Sequence, residues 1–337
     1  MNAPSFYKGH SLLNNTAAPG FMPLTPDMFL PAVEDALNIR LTGLAHPLTS
    51  YINRVYELQD VEGTRFIAKF YRPGRWTEAG IRQEHRFVRQ CADEDIPVAA
   101  PLRMANGDTL AFAGGIPFTT YEKKLGRGFE PLGPEDWRRL GRVVGRLHAV
   151  GAREDAPDRV FLHPEHATAE DIRHLLDGGF ITATHRQAFA ALTDTLLARI
   201  TPLFDDMEMI RVHGDSHQGN LLERPGEGIL VIDFDDMAVG PPVQDLWMLL
   251  PAHAPDCRRE ITLILEGYED FRAFDDRSLA LIEPLRAMRI LYFLAWCSRQ
   301  TGDPRFGRNF PDWGSEPFWR QQIGDLRHQL DVINQHR

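Results

Sequence analysis

The sequence predicts an α+β protein of two lobes, with a small antiparallel β N-terminal lobe carrying one main helix and a larger, mostly helical C-terminal lobe. Three observations support this prediction. Strand patterns crowd into residues 41–122, helical periodicity dominates after residue 128, and two short apolar runs flank a polar stretch at residues 212–235. With 337 residues, the chain is long enough to bury a core in each lobe.

The predicted organisation has three parts. Residues 1–24 are rich in Asn, Pro, Gly and Ser, which is typical of a flexible terminal arm. Residues 25–122 then form the N-terminal lobe, and residues 123–337 form the C-terminal lobe. The glycines near residues 126–128 mark the connector between them.

The composition is that of an ordinary globular protein, with 43% hydrophobic residues, 25% charged residues and a formal net charge of −10. An acidic chain argues against nucleic-acid binding, which needs a basic face. Cys91, Cys257 and Cys297 are odd in number and far apart, so we expect reduced thiols and a cytoplasmic location. The sequence contains no secretory-type leader and no apolar run of membrane-spanning length, so we expect no membrane partner.

The N-terminal lobe begins with a helix-start signal at Thr25-Pro26-Asp27, where a capping hydroxyl precedes a proline. Residues 51–58 and 65–71 predict an antiparallel hairpin. Lys69 lies within its second strand, where a buried ammonium needs an anionic partner. Residues 76–93 predict the main helix of the lobe. Short strands are predicted at residues 98–101, 109–112 and 116–121.

In the C-terminal lobe, residues 134–150 place apolar side chains on one stripe and predict an amphipathic helix. Residues 283–297 are apolar nearly all round except for Arg286 and Arg289, which predicts a helix buried on most sides. Further helices are predicted at residues 169–177, 186–200, 246–250, 258–272 and 278–300.

The polar stretch carries residue types that suit phosphoryl transfer, which needs charge neutralisation and a base for the attacking hydroxyl. Asp215 follows an apolar strand, Asn220 follows five residues later, and Asp233 ends the next apolar strand. A hairpin would bring the three together, and their oxygens suit Mg²⁺. Alone, an Asp and an Asn five residues apart are more often ordinary turn residues. The apolar strands on both sides favour a functional site.

The stretch His213-Gly214-Asp215-Ser216-His217-Gln218-Gly219-Asn220 resembles the catalytic loop of the aminoglycoside phosphotransferase/choline kinase branch of the protein-kinase-like fold. Ile232-Asp233-Phe234-Asp235 resembles the metal-binding motif of the same branch, with an acidic residue where protein kinases have glycine. The resemblance implies a protein-kinase-like fold that uses ATP and Mg²⁺. It also implies Asp215 and Asp233 as catalytic residues, with Asp215 as the base, and Asn220 and Asp233 as Mg²⁺ ligands.

The same resemblance implies that Lys69 contacts the ATP phosphates and that Glu84 positions it; Glu78 is a weaker candidate partner. The chain lacks the glycine-rich motif before Lys69, so Ser50 or Asn53 would cover the phosphates. Asp245 resembles the family's buried brace of the catalytic loop, although a helix N-cap is an equal alternative. His213 is expected to brace that loop.

Longer blocks narrow the resemblance. Residues 50–56, 69–76, 97–101, 243–250 and 282–289 resemble the bacterial stress response kinase A group, over about residues 25–325. This resemblance implies a cytoplasmic, monomeric serine/threonine protein kinase of the stress response, acting on protein substrates that bear Ser or Thr. Autophosphorylation at Ser50, which would make the chain a phosphoprotein, is a weaker expectation.

Two other functions remain open at this stage. A small-molecule kinase would share the catalytic loop and accept the hydroxyl of an amino alcohol, a sugar or an aminoglycoside. Its acceptor could be held by the acidic residues of the C-terminal lobe, namely Glu266, Glu269, Asp270 and Glu283. A nucleotide-binding scaffold without catalysis is disfavoured, because every residue that the chemistry needs is present.

Overall fold

The structure, a computed structural model, describes residue 21 and residues 24–50, 52–303 and 305–335. The α+β class is confirmed, with a five-stranded antiparallel sheet preceding a mostly helical C-terminal part. The predicted flexible arm, residues 1–24, lies outside the described residues except for Phe21 and Leu24. The predicted lobe boundary falls at the end of the last strand of that sheet, at Glu122.

The N-terminal lobe contains two helices and five strands in the described residues. They are α1 (Pro26–Leu37), β1 (Leu41–Leu48), β2 (Arg54–Asp60), β3 (Arg65–Phe70), α2 (Glu78–Asp93), β4 (Ala111–Ala113) and β5 (Ile116–Glu122). The strand order is β1-β2-β3-β5-β4, and every pair is antiparallel. The β2–β3 pairing confirms the predicted hairpin.

Strand β3 separates a core from a cleft. Ala68 and Phe70 are fully buried, and their cluster includes Phe29 and Val33 of α1. Because successive side chains on a strand point to opposite faces, Lys69 points away from this core. The register places Lys69 opposite Val55 on one side and Thr119 on the other. The alternation of side chains along β3 therefore places Lys69 on the cleft side of the sheet, opposite the apolar core.

One predicted strand does not form, and one observed strand was not predicted. Residues 98–101 form only single bridges, from Val98 to Val231 and from Pro101 to Tyr121, because prolines at both ends of the segment remove ladder donors. Strand β1 was not individually predicted, since Gly43 and Pro47 obscure its pattern. It lies at the sheet edge, where a proline costs no ladder hydrogen bond.

The C-terminal part contains the remaining elements. They are β6 (Arg127–Gly128), α3 (Pro134–Gly151), β7 (Val160–Phe161), α4 (Ala169–Asp177), α5 (Ala183–Ile200), β8 (Ile210–Val212), β9 (Leu221–Arg224), β10 (Gly228–Val231), β11 (Ala238–Gly240), α6 (Val243–Trp247), α7 (Arg258–Tyr268), α8 (Ile282–Arg299), α9 (Phe306–Asn309) and α10 (Glu316–Gln335). Small sheets of order β10-β9-β6 and β7-β11-β8 support the loops between them.

Helix α8 lies in the large hydrophobic core with α3, α5, α7 and α10. Its sequence 283–297 is mostly buried, as its apolar pattern predicts. Helices α3 and α7 pack backbone against backbone at Gly141, where a Cβ would lie 1.9 Å from the Ile264 carbonyl oxygen. That approach explains a glycine in mid-helix, which otherwise destabilises it by about 1 kcal/mol.

The cysteines and the hydropathy of the helices were also considered in the sequence. Cys91, Cys257 and Cys297 are all buried and free, which agrees with the expectation of reduced thiols. Among the described residues, no helix is both long enough and apolar enough to span a bilayer.

Candidate active site

The loop after β8 is held from behind by Asp245 of α6. The Asp245 carboxylate accepts hydrogen bonds from the backbone N–H groups of His213 (2.7 Å) and Gly214 (2.9 Å). It also accepts one from His148 Nε2, at 2.9 Å. Asp245 is fully buried; burial alone would raise the pKa of its carboxyl, but these hydrogen bonds hold the pKa below the usual range. Asp245 therefore braces the loop and is not the N-cap of α6, a position that Pro242 occupies.

Gly214 is required by the shape of this loop. Its φ is +83°, a backbone conformation that L side chains rarely adopt. A Cβ there would lie 2.1 Å from the carbonyl oxygen of Asp236, which is fixed backbone. The glycine thus allows the loop to lie directly against the segment after β10.

His213 links the loop to the end of β10. Its Nε2 lies 2.9 Å from the Ile232 carbonyl oxygen, which can only accept, so Nε2 carries the proton. Its Nδ1 then accepts from the Asp215 N–H at 3.2 Å. The ring also packs on Phe234, with centroids 4.4 Å apart. Both ring nitrogens are occupied within the protein, as expected for a brace.

Asp215 holds its carboxylate at the cleft beside the Arg289 guanidinium and the His217 imidazole. Arg289 Nη2 lies 2.7 Å from Oδ1, and His217 Nε2 lies 3.5 Å from Oδ2. Burial alone would raise the pKa of the Asp215 carboxyl, but His217 and Arg289 hold it below the usual range. The Asn220 amide donates to the Asp215 carbonyl at 2.8 Å, which closes the loop on itself.

Asp233 follows β10 and turns sharply. Its φ and ψ are 60° and 69°, a left-handed conformation that Asp tolerates better than most residues. The turn leaves its carboxylate 54% exposed in the cleft. The ammonium of Lys69, from the N-terminal lobe, lies 3.1 Å from Asp233 Oδ1. The structure therefore brings these two residues together across the cleft.

The Lys69 ammonium lies among three carboxylates. Asp233 and Asp235 are each 3.1 Å away, and Glu84 is 3.9 Å away. Burial alone would lower the pKa of Lys69, but the three negative charges raise it well above the usual range. The weaker candidate, Glu78, lies 3.9 Å from Arg82 instead and is exposed. Asp235 was not predicted as a partner of Lys69, yet it lies closer than Glu84.

Glu84 is buried on α2 beneath this cluster. It accepts a 3.3 Å hydrogen bond from the Tyr71 hydroxyl and lies 3.8 Å from the buried guanidinium of Arg159. Burial raises the pKa of the Glu84 carboxyl to about 7, opposed by the charges of Lys69 and Arg159. Arg159 itself donates to the carbonyl oxygens of Asp235 and Met237. Helix α2 and the segment after β10 are thus joined through buried charges.

Arg75, on the loop between β3 and α2, ties that segment to the N-terminal lobe. Its guanidinium donates to the carboxylates of Asp235 and, at 2.6 Å, of Asp236. The Tyr292 hydroxyl of α8 donates to the same Asp236 carboxylate at 3.0 Å. A fork of this kind holds two carboxylates at a fixed spacing. Arg75 thereby fixes the segment that carries Asp233.

The comparisons with known proteins agree with this geometry. Residues 45–282 match the model of the phosphotransferase enzyme family. Stress response kinase A of Escherichia coli is 38% identical over 322 residues, which are 95% of this chain and 97% of that protein. Serine/threonine protein kinase RdoA of Salmonella typhimurium is 38% identical over 316 residues, which are 94% of this chain and 95% of that protein.

This chain belongs to the phosphotransferase enzyme family. Within that family it is a member of the stress response kinase A group. A solved structure described as amicoumacin kinase hAmiN in complex with AMP-PNP, Ca2+ and Ami has a TM-score of 0.71 and 20% identity. That match covers 90% of this chain and 94% of the other, and at such identity it concerns the fold alone.

The donor set of this phosphotransferase fits the Mg²⁺ that its family resemblance implies. Asp233 offers an exposed carboxylate, and the Asn220 amide nitrogen is used on Asp215, which leaves its oxygen for a metal. In the described part of the chain, no group of three or more His, Cys, Asp or Glu residues could hold a metal ion. Mg²⁺ commonly takes one or two protein oxygens and completes its shell with phosphates and water.

The two candidate phosphate contacts of the phosphotransferase, Ser50 and Asn53, lie between β1 and β2. Ser50 is half-buried between β1 and β2, in a segment whose next residue is not described. Asn53, the alternative phosphate contact, is buried and accepts from the Arg72 N–H at 3.1 Å, so it braces this segment.

The proposed acidic acceptor residues are mostly committed within the protein. Glu266 pairs with Arg138 at 2.6 Å, and Asp270 pairs with Arg142 at 2.8 Å. Glu283 is buried and accepts from His253, from the Ala254 N–H and from Gln329. Glu269 is exposed. Three of the four carboxylates therefore have partners within the protein, although the pairs of Glu266 and Asp270 are exposed at the surface.

Sequence reasoning missed several residues of the site. They are Arg75, Arg159, His217, Asp235, Asp236, Arg289 and Tyr292. Four of them carried a signal. His217 and Asp235 lie within the two motifs that resemble the family, Arg289 interrupts an otherwise apolar helix, and Arg75 falls in a block that resembles the stress response kinase group. A charge in a buried helix needs a partner, although the sequence does not say which one.

Proposed function

We propose that the chain is an ATP- and Mg²⁺-dependent serine/threonine protein kinase. The observation that carries the proposal is the contact between Lys69 and Asp233, 3.1 Å across the cleft, beside a loop that presents Asp215 and Asn220. The stress response group to which the chain belongs includes a relative named serine/threonine protein kinase. Together these findings support a nucleoside triphosphate as the phosphoryl donor and a protein hydroxyl as the acceptor.

In this proposal Lys69 binds the α- and β-phosphates. A phosphate group would take the place of the Asp233 carboxylate beside the Lys69 ammonium, and Glu84 would hold the lysine in place from below. Asn220 and Asp233 would hold Mg²⁺, which would supply positive charge to offset that of the phosphates. Ser50, between β1 and β2, covers the phosphates from the N-terminal lobe.

Asp215 is the base that accepts or orients the proton of the attacking hydroxyl. His213 and Asp245 fix the backbone that leads into Asp215, so its carboxylate needs little reorganisation to receive the hydroxyl. A general base typically contributes about 10²–10⁴-fold to rate.

The first test replaces Asp215 with alanine. Phosphate transfer from labelled ATP to a generic protein substrate should fall about 10²–10⁴-fold, while the unfolding midpoint stays close to that of the wild type. Asp194→Ala, at an exposed position on α5, serves as the matched control and should keep full activity. Equal rates for Asp215→Ala and the wild type would refute the assignment of the base.

A second candidate function is phosphorylation of a small-molecule hydroxyl. The matched family is described as phosphotransferase enzymes, which names no acceptor, and both kinds of kinase share the catalytic loop. Incubation with labelled ATP, a protein mixture and a metabolite panel separates the two. Label on protein serine or threonine supports the first proposal, and label only on a metabolite supports the second. A thermal shift with ATP and Mg²⁺ but no turnover would instead support a nucleotide-binding scaffold.

The group resemblance also leads us to propose a cytoplasmic monomer. Light scattering of the purified chain would test the oligomeric state, and cell fractionation would test the location. Phosphosite mapping after incubation with ATP would test autophosphorylation at Ser50.

A further inference from the structure

The guanidinium of Arg289 is paired with Asp215, the proposed catalytic base. It donates to Asp215 Oδ1 at 2.7 Å, and the Asp215 side chain is only 18% exposed. One of the two carboxylate oxygens that could receive an acceptor hydroxyl is therefore already taken by a guanidinium donor. An acceptor hydroxyl that approaches Asp215 therefore meets Arg289 as well.

The ion pair with Asp215 uses only part of the hydrogen-bond donors of the Arg289 guanidinium. Of the carboxylates in the described part of the chain, only Asp215 forms an ion pair with it, and the side chain is one-third exposed. It also lies over the Tyr292 ring, 5.0 Å from the centroid. A guanidinium carries five N–H donors in a planar fork that suits carboxylates. One carboxylate oxygen uses only part of that fork.

Arg286, one turn earlier on α8, shows the contrast. Its guanidinium donates to the Ala252 carbonyl oxygen at 2.8 Å and lies over the Trp247 ring at 4.9 Å. It also lies 3.4 Å from the buried Glu283 carboxylate. Arg286 is thus committed within the C-terminal lobe, whereas Arg289 faces the catalytic carboxylate.

We propose that Arg289 is a specificity-determining residue that selects acceptors with an acidic side chain close to the reacting hydroxyl. This inference rests on the proposed protein kinase function. The carboxylate of such an acceptor pairs with the Arg289 guanidinium in place of Asp215. The Asp215 carboxylate is then free to receive the acceptor hydroxyl. A neutral acceptor leaves the pair intact, and a cationic acceptor is repelled by Arg289. The preferred substrate class is therefore an acidic serine or threonine segment.

The test uses three synthetic serine peptides that differ only in the residues flanking the serine, which are Asp, Asn or Lys. The wild-type kcat/KM should favour the Asp peptide over the Asn peptide by about tenfold to a hundredfold, as for a hydrogen-bonded charge pair. Arg289→Gln should bring that ratio close to one. Arg289→Glu should have a higher kcat/KM for the Lys peptide than for the Asp peptide. Arg286→Gln, the matched control, should keep the wild-type preference. Each ratio is measured within one enzyme preparation, so incomplete folding of a variant does not change it.

Several outcomes would overturn the inference. Equal kcat/KM for the Asp and Asn peptides in the wild type would do so, as would an undiminished preference in Arg289→Gln. A loss of kcat in Arg289→Gln that is equal for all three peptides, with their ratios unchanged, would also overturn it, because Arg289 would then not distinguish between acceptors. Phosphorylation of peptides without acidic preference leaves the proposed kinase function standing, whereas label on metabolites alone refutes that function as well.

Discussion

Replacement of Asp245 with asparagine tests how the catalytic loop is held. The Asp245 carboxylate accepts three hydrogen bonds, two on Oδ2 and one on Oδ1. An amide oxygen can keep the two from His213 and His148, but the amide nitrogen then faces the Gly214 N–H, donor against donor. The substitution keeps the volume of the side chain and changes only its charge and hydrogen bonding.

The magnitude follows from these contacts. An orphaned buried donor costs about 1–3 kcal/mol, and the two remaining bonds lose the charge that roughly doubles their strength. We expect the free energy of unfolding to fall by about 2–5 kcal/mol, a large share of a typical total of about 5–15 kcal/mol. We also expect kcat to fall, because Asp215 lies next to the released backbone.

The assay is urea unfolding of wild type and Asp245→Asn at pH 7 and at steps down to pH 3, with kcat measured at pH 7. Since the pKa of Asp245 is lower in the folded state, its contribution is present above its unfolded pKa and is lost as pH falls through the folded pKa. The difference between the two proteins should therefore shrink in acid. A variant within about 0.5 kcal/mol of wild type and with unchanged kcat would refute the reasoning, since ordinary surface substitutions lie in that range.

Three further predictions concern the same site. Gly214→Ala should lower both stability and kcat, because its Cβ would meet the Asp236 carbonyl oxygen at 2.1 Å; calorimetry and a transfer assay measure these effects. Lys69→Met should lower kcat/KM for ATP by about 10²-fold or more, since the variant loses a preorganised cation at the phosphates. Glu84→Gln should flatten the pH dependence of stability between pH 4.5 and about 7, measured without nucleotide. In that window the wild type loses stability as pH rises, because the folded protein binds the Glu84 proton more tightly than the unfolded chain.

Each of these predictions has a clear contrary result. An active Gly214→Ala protein with wild-type stability would mean that the loop moves freely relative to Asp236. Lys69→Met with an unchanged kcat/KM for ATP would remove this lysine from the phosphate site. A Glu84→Gln protein with the same pH slope as wild type would show that other groups titrate in that window.

Much of the fold could be predicted because its signals are local. The β2–β3 hairpin shows in alternation around a turn, and α3 shows in its apolar stripe. Prediction was poorer for β1, in which Gly43 lies at a register shift between Leu41 and Ala45 and Pro47 is tolerated because the strand lies at the sheet edge. Edge position is a property of the assembled sheet and leaves no mark in a single strand.

The candidate active site likewise has residues that the sequence predicted and contacts that only the structure shows. The chain alone determined the loop from His213 to Asn220 and the position of Asp233 after an apolar strand, since both depend on residues close in sequence. It also indicated that Lys69 needs an anionic partner. Only the tertiary structure decided that Asp235 lies closer to Lys69 than Glu84 does, and that Arg289 pairs with Asp215. Lys69 and Asp233 are 164 residues apart and Arg289 and Asp215 are 74 apart, so these contacts exist only once the lobes and helix α8 have packed.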